Sequence, residues 1–236
     1  MEKVMKKEKR LVICSYGLEP KHITLETLAA LKKCGAVFSH SLEGGSGDFI
    51  AQSCAQFENL RGLDGPGIAA RLKEAFEEHD TVGFLTYGNP FFLNAATVLI
   101  KAGMAAAKVK VSVLPAVSSF DSIVNLLDLN KFSLTGLRLV DAAASLAALL
   151  FTPEMDTLFF SAGVLGPGRG NKRRAEFLKG LAAAYPGGHP VSIVNCPCIG
   201  NASGRLIKTT VSRLGGVFAK VNNVSTILVP AVNGRK

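Results

Sequence analysis

The chain has 236 residues, 48% of them apolar and 19% charged, which excludes a disordered, fibrous or coiled-coil protein. A chain of this length buries enough surface to need no disulfide or structural metal, and its size allows one compact unit or two small domains. The net charge of +9 is uneven: residues 1–10 sum to +3, residues 11–100 to −4 and residues 101–236 to +10.

The first ten residues read as a solvated basic arm. The basic second half either steers an acidic ligand or serves solubility alone. Nucleic acid is not an expected partner, because there is no Trp and the aromatics do not interleave with the basic residues as a stacking platform. Five scattered cysteines fit a reducing compartment. Cys196-Pro197-Cys198 is too short and isolated for a four-ligand zinc site, so no metal is expected. Only four apolar residues, Leu11 to Cys14, follow the basic start, and Ala142 to Phe151 is about half the length that spans a bilayer. A cytoplasmic protein with no membrane segment is expected.

In chain order, Arg10 to Ser15 predicts a buried strand. Ile23, Leu25, Leu28 and Leu31 recur at helical spacing, and Gly35 closes that helix. Ala36 to His40 is a second strand. A turn rich in glycine (Gly44, Gly45, Gly47) and a short helix to about Ala55 follow. Pro66 suits a helix start, and Ile68 to Glu78 is amphipathic. Thr81 to Thr86 is the next strand, followed by a Tyr-Gly-Asn-Pro turn and a helix to about Ala106. Val109 to Leu114 is another strand. This βαβαβ rhythm predicts a parallel sheet with helices on both faces. Beyond it come an apolar helix at Ser119 to Leu127, strands at Asp156–Ser161, Pro190–Asn195 and Val224–Pro230, and a helix from Asn171 to Ala184. The looser alternation predicts a mixed sheet. The expected fold class is therefore α/β in two domains, residues 1–117 and 118–236.

Ligands of open α/β sheets gather beyond the carboxyl ends of the strands. Three loops lie there: Ser15-Tyr-Gly-Leu-Glu-Pro20, Tyr87-Gly-Asn-Pro-Phe-Phe92 and Pro115-Ala-Val-Ser-Ser119. Each joins Gly or Pro to a hydroxyl, amide or phenol. Any one of them is ordinary turn chemistry, but three at one edge point to a site. No Walker lysine loop is present, the first strand lacks a Gly-x-Gly-x-x-Gly turn, and the second ends in Ser39-His40-Ser41 without a ribose-binding acid. Gly166-Pro-Gly-Arg-Gly170 lacks the Lys-Ser/Thr end of a phosphate loop. NAD and ATP chemistry are thereby disfavoured.

The ordered set of Gly17-Leu-Glu, Ile23-Thr-Leu-Glu-Thr-Leu28, Val82 to Pro90, Leu114-Pro-Ala-Val-Ser-Ser119, His189-Pro-Val191 and Val224 to Pro230 resembles the tetrapyrrole methylase family. Within that family it is most similar to the peptide-backbone N-methyltransferases of borosin biosynthesis. The resemblance implies a parallel-sheet N-terminal domain, a mixed-sheet C-terminal domain and S-adenosylmethionine in the cleft between them. It implies that Tyr87, Asn89 and Phe92 hold the methionine end, that Ser118 and Ser119 follow the fifth strand, and that Ser161, Cys196, Ser225 and Thr226 lie near the adenosine. A sulfonium needs a shaped, mostly neutral pocket with carbonyls and hydroxyls, which these residue types supply.

The departures bear on mechanism. The family's Gly-Asp-Pro or Gly-His-Pro reads Gly88-Asn89-Pro90, and its Pro-Gly-Val-Ser reads Pro115-Ala116-Val117-Ser118. Arg71 aligns with the arginine of the borosin Tyr/Arg/Tyr cluster, but the tyrosine positions read Gly65 and Ala75. An amide nitrogen is a poor nucleophile, and general-base help is worth ~10²–10⁴-fold. Arg71 and Tyr16 are thus the catalytic expectations, with His22 or His40 as the other groups able to stand in as base. A carbon or ring-nitrogen acceptor demands less.

The similarity favours a peptide acceptor on a separate chain, because no substrate segment is appended before Lys236. A tetrapyrrole acceptor and a binding or scaffolding subunit without catalysis are the alternatives. Arg169 to Arg174 is either a solvated cluster or a grip for carboxylates. The resemblance also implies a homodimer, and the all-round apolar stretch Ala142 to Phe151 is either shared with a partner or buried in one chain.

Overall fold

The computed structural model of the chain describes residues 8–42, 45–129, 135–144, 150–167, 171–199 and 204–232. They form two compact units, Met1–Ser119 and Phe120–Lys236.

The first unit is a five-stranded sheet in the order β3-β2-β4-β1-β5, built from β1 (Arg10–Ser15), β2 (Ala36–Ser39), β3 (Phe57–Asn59), β4 (Thr81–Thr86) and β5 (Lys110–Val113). Every pairing in it is parallel. β1, β2 and β4 are near-continuous apolar runs because both faces are covered. On one face α3 (Gly65–Ala75) and α4 (Ala95–Ala106) bury Ile68, Leu72, Ile100 and Met104 against Leu11, Ile13, Phe38 and Phe84. On the other, α1 (Leu25–Leu31) sets Leu31 close over Gly83, where an added Cβ would lie 3.2 Å from Cys34 Sγ and 3.1 Å from Val37 Cγ2.

The helix starts follow side-chain chemistry. Thr24 accepts from Thr27 N at 3.0 Å, Asp64 from Gly67 N at 2.9 Å and Asn94 from Thr97 N at 3.2 Å, each relieving an orphan amide of the first turn. Pro66 sits in the first turn of α3, as its fixed φ favours.

Three expectations for this half are corrected. Leu25 opens α1 but is 85% exposed, so the repeat beginning at Ile23 is not a buried stripe. Gly45 and Gly47 fall inside α2 (Gly45–Ala51) instead of a turn before it. β3 was not expected; it is a three-residue, half-buried edge strand with little apolar signal.

The second unit is a mixed sheet in the order β6-β7-β10-β8-β9. Its strands are β6 (Leu137–Asp141), β7 (Asp156–Phe160), β8 (Pro190–Asn195), β9 (Arg205–Thr210) and β10 (Ser225–Val229). β6 and β7 are parallel, and the other pairings are antiparallel. α5 (Ser119–Leu126) precedes them, and α6 (Asn171–Ala184) covers the sheet together with the 3₁₀ segment Val211–Lys220. Their core is aromatic: Phe177 meets Phe159 at 5.1 Å, Phe151 at 5.4 Å and Phe218 at 6.4 Å. The edge strands β6 and β9 were not expected. Of the apolar stretch Ala142 to Phe151, residues 145–149 lie outside the described residues. Among the described residues no helix is long and apolar enough to cross a membrane.

Candidate active site

The carboxyl edge of the first sheet is knitted turn to turn. Gly17, with φ +74°, and Gly88, with φ +61°, form an isolated antiparallel bridge in which Gly88 N donates to Gly17 O at 2.9 Å. Both backbones use the left-handed region that only glycine enters freely. Gly17 N donates to Ser15 Oγ at 2.9 Å. A Cβ at Gly17 would stand 2.6 Å from His22 Cβ and 3.4 Å from Val117 Cβ, so the turns after β1 and β5 approach each other there. Asn89 ties the third turn in, because its Nδ2 donates to Ala116 O at 3.4 Å while its Oδ1 accepts from Phe91 N at 3.0 Å. Phe92 N closes the same turn by donating to Asn89 O at 3.0 Å. The structure thus brings Tyr87, Asn89 and Phe92 into one turn cluster with the loop that leads through buried Ser118 to Ser119.

The phenols are held differently. Tyr16 is buried, and its hydroxyl donates to Ser41 O at 3.0 Å, pinning the turn after β2. Its ring meets that of half-exposed Tyr87 edge-on at 6.5 Å. Below them Asn94 Nδ2 donates to Thr86 Oγ1 at 3.0 Å, so the cap of α4 also fixes the end of β4. Ser41, Thr86 and Asn94 were not singled out in the sequence, since their partners lie on other strands and turns.

Arg71 lies on α3 with its guanidinium engaged. Nε donates to Glu58 Oε1 at 2.9 Å and Nη2 to Glu58 Oε2 at 2.6 Å, while Nη1 reaches Glu74 Oε2 at 3.5 Å. Its Cζ stands 5.2 Å over the Phe38 ring. The hydrogen bonds it donates to Glu58 raise its already high pKa, so the group is a permanent cation in a bidentate clamp. Glu58, thirteen residues away on the unforeseen β3, is the partner that sequence reasoning missed.

In the second unit the register gathers the four remaining positions at one end of the sheet. Ser225 pairs with Asn195 and Thr226 with Val194, while Ile227 opposite Phe159 sets Ser225 level with Ser161. Ser161 follows β7 in the left-handed region at φ +54°, a conformation that costs a non-glycine residue energy and recurs at functional sites. Ser225 Oγ donates to Asn195 Oδ1 at 2.6 Å and accepts from Asn222 N at 2.9 Å. Cys196 is buried beside Asn195, and burial pushes its thiol up to about 11, which leaves a neutral, unreactive sulfur. Asn195 and Asn222 were not expected; the amides lie 30 and 3 residues from the hydroxyl they hold.

Two other sequence features are only partly described. Residues 168–170 of the Gly-Pro-Gly-Arg-Gly loop, and with them Arg169 and Gly170 of the basic cluster, lie outside the described residues. Arg173 is committed to the backbone, its Nη1 donating to Ala142 O and Ala144 O. Among the described residues no group of three or more His, Cys, Asp or Glu side chains could hold a metal ion.

The carboxyl-edge turns of this parallel sheet, tied by the Gly17–Gly88 bridge and by Asn89, carry phenol, hydroxyl and carbonyl groups at the edge where open α/β sheets gather ligands. The description "Tetrapyrrole (Corrin/Porphyrin) Methylases" matches residues 10–214. The chain belongs to this family of S-adenosylmethionine-dependent methyltransferases, and S-adenosylmethionine is its methyl donor.

Similar solved structures include the cobalamin biosynthetic enzyme cobalt precorrin-4 methyltransferase, at 18% identity and TM-score 0.69, covering 94% of each chain. Another is uroporphyrin-III C-methyltransferase from Thermus thermophilus, at 16% identity and TM-score 0.69, covering 95% of this chain and 93% of that one. The native form of that enzyme matches at 14% identity and TM-score 0.67, over 94% and 92%. At these identities the likeness is one of fold. No curated protein matches the chain.

Proposed function

We propose that this methyltransferase methylates a carbon or ring nitrogen of a carboxylate-bearing tetrapyrrole. The observation that carries this reading is the state of Arg71: its guanidinium is clamped by Glu58 and Glu74, and Gly65 and Ala75 stand where a borosin-type cluster has tyrosines. That arrangement offers little to stabilise the imidate of a backbone amide. A nucleophilic pyrrole carbon or ring nitrogen needs chiefly positioning. The names of the similar structures point the same way.

In this reading Tyr87, Asn89 and Phe92 hold the methionine end of the donor and Ser118 and Ser119 border it. Ser161, Cys196, Ser225 and Thr226 serve the adenosine. When bound, S-adenosylmethionine supplies a methyl carbon activated by its sulfonium. The chain's own part is to orient the two reactants, with Tyr16 fixing the turn after β2.

Calorimetry with S-adenosylhomocysteine tests the donor site: Tyr87→Ala and Thr226→Ala are each expected to weaken binding about tenfold, the worth of one good contact. A Glu2 change is expected to leave it intact. No binding at millimolar ligand would remove the donor-site assignment. Incubation with S-adenosylmethionine and uroporphyrinogen III, read by mass spectrometry, tests the acceptor class.

A second reading, methylation of a backbone amide in a separate precursor peptide, is favoured by the motif series and by Arg71 standing in the borosin arginine's position. Methylated peptide with untouched porphyrinogen would install it. Tight donor binding with turnover of neither would favour a scaffolding subunit. The same reading takes the protein to be a cytoplasmic homodimer. Light scattering at micromolar concentration is expected to give twice the monomer mass, and the monomer mass would overturn that assembly.

A further inference from the structure

We propose that His40 is a catalytic residue of this site and takes the acceptor's proton as the methyl group is transferred. The inference rests on the methyl-transfer reading but not on the class of acceptor.

His40 directly follows β2, whose last residue, Ser39, pairs with Leu85, so the histidine stands level with Thr86 and beside the turn carrying Tyr87. The next residue is held in place by the Tyr16 hydroxyl on Ser41 O, and Tyr16 in turn abuts Tyr87. His40 therefore belongs to the same locked edge as the proposed donor turn. Its ring lies flat on Phe84, with centroids 5.4 Å apart and planes 13° from parallel. Nδ1 is buried without a hydrogen-bond partner, and the proton transfer is assigned to Nε2. Partial burial lowers the pKa of the imidazole, so the ring is neutral at pH 7 and carries a free lone pair.

The other groups able to act as base are placed differently. The Tyr16 hydroxyl donates to Ser41 O, and His22 packs under Gly17 with Nε2 3.9 Å from Glu19 Oε2.

The step balances. An electron pair of the acceptor forms the bond to the methyl carbon. The carbon–sulfur bond breaks with its pair passing to sulfur, releasing S-adenosylhomocysteine. The N–H or C–H proton of the acceptor passes to His40 Nε2. The positive charge of the sulfonium thus ends on the imidazolium, and water then removes the proton.

The test uses His40→Ala and His40→Gln in the full chain. Each is assayed with whichever of uroporphyrinogen III or a candidate precursor peptide the wild type methylates, so a wrong acceptor class overturns the earlier reading and not this one. Expected are a loss of about 100-fold in transfer, the lower end for general-base help, and S-adenosylhomocysteine affinity within twofold of wild type. Added imidazole is expected to restore His40→Ala at least tenfold, a response that a structural role does not give. Transfer within threefold of wild type in both variants, or a loss that imidazole leaves untouched, overturns the inference.

Discussion

The two sheets hold their candidate site residues by different means. The edge of the first is centred on a main-chain lock, the Gly17–Gly88 bridge, to which Asn89 on Ala116 O and Tyr16 on Ser41 O add side-chain ties, so that four turns are joined. The corresponding end of the second is locked through side chains, with Ser225 between Asn195 and Asn222. A backbone lock tolerates almost any side chain that leaves φ and close approach alone, whereas a side-chain lock fails when one polar atom is removed. The first kind is vulnerable to a methyl group, the second to the loss of a hydroxyl.

Substitutions graded by size sharpen this contrast. The largest expected effect is the control beneath it: Phe177→Ala empties the aromatic core of the second unit and should cost about 4 kcal/mol, read as a lowered urea midpoint for that unit's transition. Gly17→Ala should cost about 3 kcal/mol, because positive φ and a Cβ 2.6 Å from His22 add together. Gly88→Ala, with positive φ but nothing within 4 Å of the new Cβ, should cost only about 1 kcal/mol. Equal costs at the two ends of the bridge would show that approach plays no part. Ser225→Ala should cost about 2 kcal/mol, since it strands the buried Asn195 amide oxygen and Asn222 N. A neutral result in the denaturant midpoint would break the side-chain half of the comparison.

A pH-dependent effect touches both units. Burial raises the thiols of Cys34 and Cys196 from 9.0 to about 11, so the folded state keeps protons that the unfolded chain loses. Stability is therefore full below pH 9 and declines as pH rises toward 11, by about 1 kcal/mol per thiol at pH 10. Urea midpoints at pH 8 and pH 10 measure it, and Cys34→Ala and Cys196→Ala should each flatten the slope.

Much of the fold was legible: burial on both faces writes the apolar runs of β1 and β4, and these strands, like the amphipathic α6, have the bounds that the sequence suggested. The strands that escaped are edge strands. Phe57-Glu-Asn is too short to carry a pattern, and Arg205 to Thr210 alternates weakly because it is largely exposed. Gly45 and Gly47 misled in the other direction, since low helix propensity did not stop α2 from forming there. At the site, turn chemistry announced Tyr87 to Phe92 and Pro115 to Ser119, because such turns have local signatures. Glu58 on Arg71 and Asn195 on Ser225 had none, for the first pair meets only where α3 packs by β3 and the second only through the register of β10 with β8.

The strand order of the second sheet also governs when that unit can form. β10 lies at its centre, flanked by β7 and β8, although it is the last of the five in the chain. On the ribosome, β6 can pair with β7 and β8 with β9, but nothing joins the two pairs into one sheet until residue 229 has been made. The first sheet has all its strands by residue 113 and can close while the rest is still being translated. For that interval the nascent chain is half native, with the aromatic surface around Phe159 and Phe177 waiting on its final strand, which is the period in which a chaperone has something to hold.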